Sequence, residues 1–208
     1  LLEKHGLAQV VLDPVNQYLE EAGLVLKRGT IVDATVFDAP VSKKNQQGQR
    51  DPEMGSTKKN NKWHFGAKGH IGVQSDGLPL VHSTAFTPAN RNDGATQDAL
   101  WHGEEQAKFG DADYARQADK RKAREDGVYY GIAEKAARSR PLSTKRKRRN
   151  RRHSSIRAKV EHPFRVMKVL WGHRKVRYRG LMKNASQFRL LCALSNLYVA
   201  RKQLLAIG

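Results

Sequence analysis

The run Gly29-Thr30-Ile31-Val32-Asp33-Ala34-Thr35-Val36-Phe37-Asp38-Ala39-Pro40 decides how the rest of the chain is read. β-Branched residues dominate positions 30–37, so this short apolar stretch reads as a strand that Asp38-Ala39-Pro40 ends. Asp33 stands in its middle, where an unpaired carboxylate is costly to bury. It is either a satisfied structural aspartate or a functional one.

Upstream, residues 1–28 read as helical, with Leu12, Val15, Leu19 and Ala22 at helical spacing and Gly23 as a stop. Downstream, residues 41–62 are polar and read as a long loop. Trp63 to Val73 and Leu78 to Thr87 read as two strands joined at Asp76-Gly77, a hairpin signal. Asp93 is a candidate cap for a helix through Ala95, Ala99 and Leu100. A short strand, Lys108-Phe109-Gly110, then runs into Asp111. A helix is expected from about Ala115 to Arg124 and a strand from Val128 to Ile132. Residues 134–152 read as a basic linker, followed by a helix from about Ser155 to Trp171. An apolar helix, expected to be buried, closes the chain from about Ala185 to Leu205. A hairpin followed by β-α-β-α units predicts an α/β domain, a mixed sheet with helices packed on it.

The chain has 208 residues and one cysteine, Cys192, which excludes an internal disulfide and a thiolate metal cluster. No run approaches the ~18 uninterrupted apolar residues of a membrane span, and no signal-peptide pattern opens the sequence. A cytoplasmic protein without a membrane partner is the expectation. Lys plus Arg number 39 against 20 Asp plus Glu, a net charge of +19. Residues 1–100 carry 11 cations and 11 anions, so the whole excess lies in the second half. Such asymmetry points to a polyanionic partner, nucleic acid before anionic membrane. Seven of the eight positions 145–152 are cationic: Lys145, Arg146, Lys147, Arg148, Arg149, Arg151 and Arg152. The run also has the composition of a nuclear-localisation patch, but a contact to DNA backbone suits it better.

Between residues 145 and 183 there are 16 cations and one acidic residue, Glu161. At ~100° per residue, Arg157, Glu161 and Lys168 fall within about 40° of one another. Ile156, Val160, Phe164, Met167 and Trp171 form an adjacent apolar stripe. Pro163 inside this pattern predicts an irregular turn. Taken alone, Glu161 reads as an i,i+4 partner of Arg157, worth ~0.5 kcal/mol or less. Taken with Asp33 and Asp111 it makes a set of hard oxygen ligands suited to Mg²⁺ or Mn²⁺. On a basic protein, that set suggests two-metal phosphoryl transfer on nucleic acid. His64, His70, His82 and His102 lack the cysteine neighbours and tight spacing of a zinc site.

Four stretches carry a resemblance: GTIVDATVFDAP, DPEMGSTKKNNKWHFGAKGHIGV, FGDADY, and SIRAKVEHPFRVMK with KVRYRG beyond it. The chain resembles the catalytic part of a bacterial insertion-sequence transposase of the DDE class, in the insertion-sequence-5 branch. The resemblance implies an RNase H-like five-stranded mixed sheet flanked by helices. It also implies a division into residues 1–29, a helical remnant of an N-terminal region, and residues 30–208, the catalytic domain. Since the chain begins with Leu about 30 residues before Asp33, a truncated copy or fragment is expected. The family signature of Tyr, Arg, Glu and Lys at fixed spacing is matched by Arg157, Glu161 and Lys168, with Ser154 at the Tyr position.

By this resemblance, Asp33, Asp111 and Glu161 hold two Mg²⁺ (or Mn²⁺) ions that activate water, and later a DNA 3′-OH. Arg157 and Lys168 hold phosphates near the scissile bond. The basic run and the cluster Arg174, Lys175, Arg177 and Arg179 grip the DNA backbone of transposon ends and target. A homodimer is expected in the active DNA complex, and a nucleoid-associated place in the bacterial cytoplasm. Two rivals stand beside this reading: a non-catalytic basic nucleic-acid-binding remnant, and an RNase H-like nuclease that only hydrolyses.

Overall fold

The structure, a computed structural model, describes residues 10–46, 48–59, 61–136 and 141–207. The readings for residues 1–9 and 137–140 lie outside this set. Helix α1 (Leu12–Glu21) is followed by β1 (Gly29–Asp38), β2 (Gly55–Lys59), β3 (Lys62–Gln74) and β4 (Val81–Pro88). Then come β5 (Ala107–Gly110), α2 (Gln117–Glu125), β6 (Tyr129–Ile132), α3 (Thr144–Arg157), α4 (Glu161–Arg165) and the long α5 (Leu181–Ile207).

Five strands lie in the order β4-β3-β1-β5-β6. β3 runs antiparallel to both β1 and β4, whereas β5 and β6 run parallel to β1 and to each other. This is the expected mixed α/β sheet, consistent with an RNase H-like fold. A sixth strand, β2, pairs with the first residues of β3. It lies inside residues 41–62, which the sequence presented as loop. Its residues, Gly-Ser-Thr-Lys-Lys, carry no apolar alternation, so only cross-strand pairing with β3 makes them a strand.

Alternate residues of β1 serve the two faces of the sheet. Ile31 and Phe37 join the larger core with Ile71, Phe109, Val160, Phe164, Met167 and Phe188. Val32 packs on the other face with Leu100, Tyr114 and Ile132. α5 lies close over the larger core because Gly69 leaves room. A Cβ at Gly69 would stand 2.6 Å from the Phe188 ring.

α5 is long and apolar enough, by length and composition, to cross a membrane. Here it rests on the sheet through buried Asn196, whose Oδ1 accepts the Val81 N–H at 2.7 Å and whose Nδ2 donates to Val81 O at 2.7 Å. It is therefore only partly the buried apolar helix expected, since Leu194, Leu205 and Ile207 are exposed.

Two readings of the middle of the chain need correction. Asp93 does not cap an α-helix. Asn92 caps a 3-10 segment, Asp93–Ala99, by accepting the Gly94 N–H at 2.9 Å. Asp93 instead pairs with Lys68 at 2.7 Å. The basic run is not a linker either, for Lys145 to Arg152 all lie on α3. Lysine and arginine are good helix formers, the Ser143 side chain accepts the Arg146 N–H, and no glycine or proline interrupts the run.

Like charges at i,i+4 oppose such a helix, and Glu134 offsets part of that. It pairs with Arg146 and Arg149 as well as with Lys120. Asn150 also exchanges hydrogen bonds with the Glu134 backbone. Only His153 of α3 is buried, its Nε2 2.8 Å from the Tyr129 hydroxyl.

The rod continues past α3 as a 3-10 turn (Ala158–Val160), α4, and a π turn (Val166–Leu170). The irregularity expected at Pro163 is thus present. Pro163 has no N–H for the Lys159 carbonyl, and its ring crowds that carbonyl, so the chain tightens just before it.

Candidate active site

β1 and β5 pair in parallel with Ile31 opposite Phe109. Asp33 stands two residues further along β1, on the face that carries Ile31, and Asp111 is the first residue past the end of β5. The parallel pairing brings that end of β5 near Asp33, whose charge Asp111 perturbs. β5 ends at Gly110 while β1 continues to Asp38, so the carboxyl ends of the parallel strands are stepped. Open α/β sheets bind ligands in that place. Asp111 also caps the next turn, its Oδ1 accepting the Asp113 N–H at 2.8 Å.

The rod crosses this face of β1. Lys168 donates from Nζ to Thr35 Oγ1 at 2.7 Å and to Val36 O at 2.5 Å. It also lies over the Phe37 ring, 4.8 Å from its centroid. Burial lowers its pKa to about 8. Glu161 begins α4, exposed beside a cleft of about 360 Å³ lined by Ala158, Phe164 and Lys168 among others. Arg157 approaches Asp33 from the end of α3, and its Nε is buried without a hydrogen-bond partner.

The charges of these groups meet at Asp33. Its Oδ1 accepts the Ala34 N–H at 2.8 Å. Burial raises its pKa to about 6; the Ala34 hydrogen bond and Arg157 pull it down, and Asp111 and Glu161 push it up. Asp111 and Glu161 thus each stand within electrostatic reach of Asp33. Among the described residues, however, no three histidine, cysteine or acidic side chains come together as a group able to hold a metal. Their chemistry fits a hard divalent cation all the same, since all are carboxylates and their mutual repulsion is what such a cation relieves.

A pH dependence follows with a definite sign. A carboxylate whose folded pKa is raised stabilises the fold fully below its unfolded pKa, near 3.8. That contribution is lost as the pH rises through about 6. In protein kept metal-free with a chelator, Asp33→Asn is therefore expected to stabilise the fold at pH ~7.5, by at most roughly 3 kcal/mol. The gain shrinks towards pH ~4. Denaturant melts at both pH values measure it, and a gap independent of pH would show that Asp33 is not desolvated.

The sequence reading missed two neighbours. Tyr114 is fully buried and its hydroxyl has no partner. Its pKa is raised by burial, then by Asp93, Asp33 and Asp111. This tyrosine ends the FGDADY stretch, but only the turn capped by Asp111 brings it within reach of Asp33 and Asp111. Asp93, 60 residues from Asp33 in sequence, offered no signal.

The remaining predicted residues lie on α3 and on the segment that follows the rod. Lys145, Lys147, Arg148, Arg151 and Arg152 are exposed on α3. Arg174, Lys175, Arg177 and Arg179 sit on an extended segment that bridges to Asp38 at the end of β1. There Arg174 Nε donates to Lys168 O at 3.0 Å, and Arg179 to Arg50 O at 3.4 Å. The histidines do not gather as one group: His64 meets Asp38 at 2.8 Å, His70 meets Thr87 and Thr96, and His82 meets Thr30 and lies edge-on to His102 with ring centroids 5.2 Å apart.

A family model for the transposase DDE domain matches residues 25–197. The chain belongs to that family. The match runs from just before β1 into α5, so every element that positions Asp33, Asp111 and Glu161 lies within the transposase DDE domain. The family catalyses DNA transposition as polynucleotidyl transferases and generally uses divalent metals. DNA binding follows for the transposase domain from the same membership, and it agrees with a charge of +19.

Proposed function

We propose that this chain is the catalytic domain of a transposase of the insertion-sequence-5 branch, which cleaves transposon ends and transfers them into target DNA. The observation that supports this is the parallel pairing of β1, which carries Asp33, with β5, which runs into Asp111, together with the charges of Asp111 and Glu161 acting on Asp33. Two divalent ions of the Mg²⁺ or Mn²⁺ kind, held by Asp33, Asp111 and Glu161, would supply activation of the attacking oxygen and stabilisation of the leaving oxygen.

The remaining work falls to side chains. Arg157 has an unsatisfied buried Nε and a guanidinium suited to a phosphate oxygen. Lys168 has spent two of its three N–H groups on β1, so it holds the rod in place and keeps one N–H for the scissile phosphate. α3 and the segment 174–179 lay a cationic track that holds backbone without reading sequence. Residues 30–208 act as one catalytic unit, as a homodimer on DNA, in the bacterial cytoplasm beside the nucleoid.

One observation favours a second reading, a non-catalytic DNA-binding protein: among the described residues the three carboxylates are not gathered as a metal-binding group. An oligonucleotide duplex with a free 3′-OH, a supercoiled target plasmid and Mg²⁺ separate the readings. The transposase reading expects strands joined to the target as well as nicks. Nicks without joined product would leave a hydrolytic nuclease. Binding without metal-dependent nicking would leave the non-catalytic protein.

A further inference from the structure

β2 and β3 form a hairpin whose tip is built against its own stability. Lys59 lies directly opposite Lys62, and Lys58 directly opposite Trp63. Like charges facing across a strand pair repel, and all three lysines are exposed. Trp63 was expected to belong to the sheet. Its backbone does, but its side chain is 69% exposed, an unusual position for the largest apolar side chain. On the same face, two residues along, the Phe65 ring lies under the Arg50 guanidinium at 5.5 Å. Phe65 is half-buried against the larger core, so the Trp63 ring, set among Lys58, Lys59 and Lys62, is the aromatic face presented to solvent at this end of the sheet.

The hairpin is also placed near the candidate active site, for the charge of Lys59 is felt by Lys168 and helps to lower its pKa. No group described within the chain neutralises the Lys58, Lys59 and Lys62 ammoniums or covers the Trp63 ring. A partner that satisfies both needs anions and flat π-faces in alternation, and that is the chemistry of a nucleic-acid strand with unstacked bases.

We propose that the β2–β3 hairpin is a second nucleic-acid contact of this domain, in which Trp63 stacks on an unpaired base while Lys58, Lys59 and Lys62 hold the flanking phosphates. This rests on the DNA-binding reading above and adds to it a single-stranded specificity that the α3 track does not supply. An acidic protein surface would satisfy the lysines but leave the indole uncovered.

The test uses the full chain without metal, so it is independent of catalysis. Wild-type protein is titrated with a single-stranded oligonucleotide while tryptophan emission is followed. Stacking is expected to quench it, whereas heparin, which carries charge but no bases, should bind without that quenching. Trp63→Ala should lose the quenching and bind the single strand about 5–100-fold more weakly. Trp63→Phe, which keeps a π-face, should retain most of the affinity. The triple change Lys58→Gln, Lys59→Gln, Lys62→Gln should lower the salt slope by up to ~0.7 per lost phosphate contact. Because Trp63 is exposed, the thermal midpoint of Trp63→Ala should not fall.

Unchanged affinity in Trp63→Ala, equal quenching by heparin, or quenching by duplex alone would overturn the proposal. A wild-type protein that binds no oligonucleotide at all would overturn it together with the DNA-binding reading. Normal duplex binding with no effect of Trp63 would remove the hairpin alone.

Discussion

Glu161→Gln is expected to lower Mg²⁺-dependent nicking by more than ~100-fold while DNA affinity stays the same or improves slightly. Groups that merely support metal ligands cost 10–100-fold when removed, so loss of a direct ligand should exceed that. The structure makes this a clean substitution. Glu161 is exposed at the start of α4, and among the described residues no hydrogen bond or ion pair of its side chain holds the rod. The melting temperature should therefore not fall. Removing its charge should also relieve Asp33, whose pKa Glu161 helps to raise. A carboxyl NMR titration of metal-free protein should show Asp33 titrating lower in the variant. Nicking at the parental rate would end the catalytic assignment of Glu161. An unmoved Asp33 titration would show that the two carboxylates do not share a site.

The second large effect is on binding. Neutralising Lys145, Lys147, Arg148 and Arg151 together to Gln should weaken DNA binding by roughly 10²–10³-fold at ~0.1 M salt, alike for every sequence. It should flatten the salt dependence by up to ~3.6 in slope, about 0.9 for each lost phosphate contact. These four are exposed on α3 and, unlike Arg146 and Arg149, are not tied to Glu134. Lys147 and Arg151 are i,i+4 neighbours of like charge, so the variant should be as stable as the parent or slightly more so. Changing Arg146 and Arg149 instead should do the opposite, lowering stability through the loss of the Glu134 pairs and affecting DNA less. Binding isotherms over a salt series and thermal melts separate the two pairs of outcomes. An unchanged slope in the fourfold variant would remove α3 from the DNA interface.

These predictions differ in where their information lies. The candidate ligands were legible because each broke a local pattern. Asp33 interrupts an apolar strand, Asp111 ends one, and Glu161 is the lone anion among 16 cations. The spacing of Arg157, Glu161 and Lys168 likewise placed them on one face of a helix. Lys168 does turn to β1, and the charges of Arg157 and Glu161 act on Asp33, although a 3-10 turn before α4 and a π turn after it replace the regular helix that the spacing assumed.

Where the sequence misled, non-local physics was in control. The basic run looked like a linker because its charge is extreme. It is helical because Ser143 caps it, Glu134 receives Arg146, Arg149 and Asn150, and Tyr129 receives His153 further along the same helix; these three partners lie outside the run itself. β2 is a strand only by virtue of its pairing with β3.

By itself the amino-acid sequence determined the alternation of strand and helix, the mixed sheet, the surplus of positive charge in the second half, and the three carboxylates out of place. Those are properties of local pattern and composition, and they survive without any knowledge of neighbours. Tertiary structure alone decided the parallel pairing of β1 with β5 that brings Asp111 within reach of Asp33, the seating of Lys168 on Thr35 and Val36, the burial of Tyr114 near both aspartates, and the exposure of Trp63. Each of these depends on which strand lies beside which and on where a strand ends, and contacts between residues far apart in the chain leave no period or composition behind for a sequence to show.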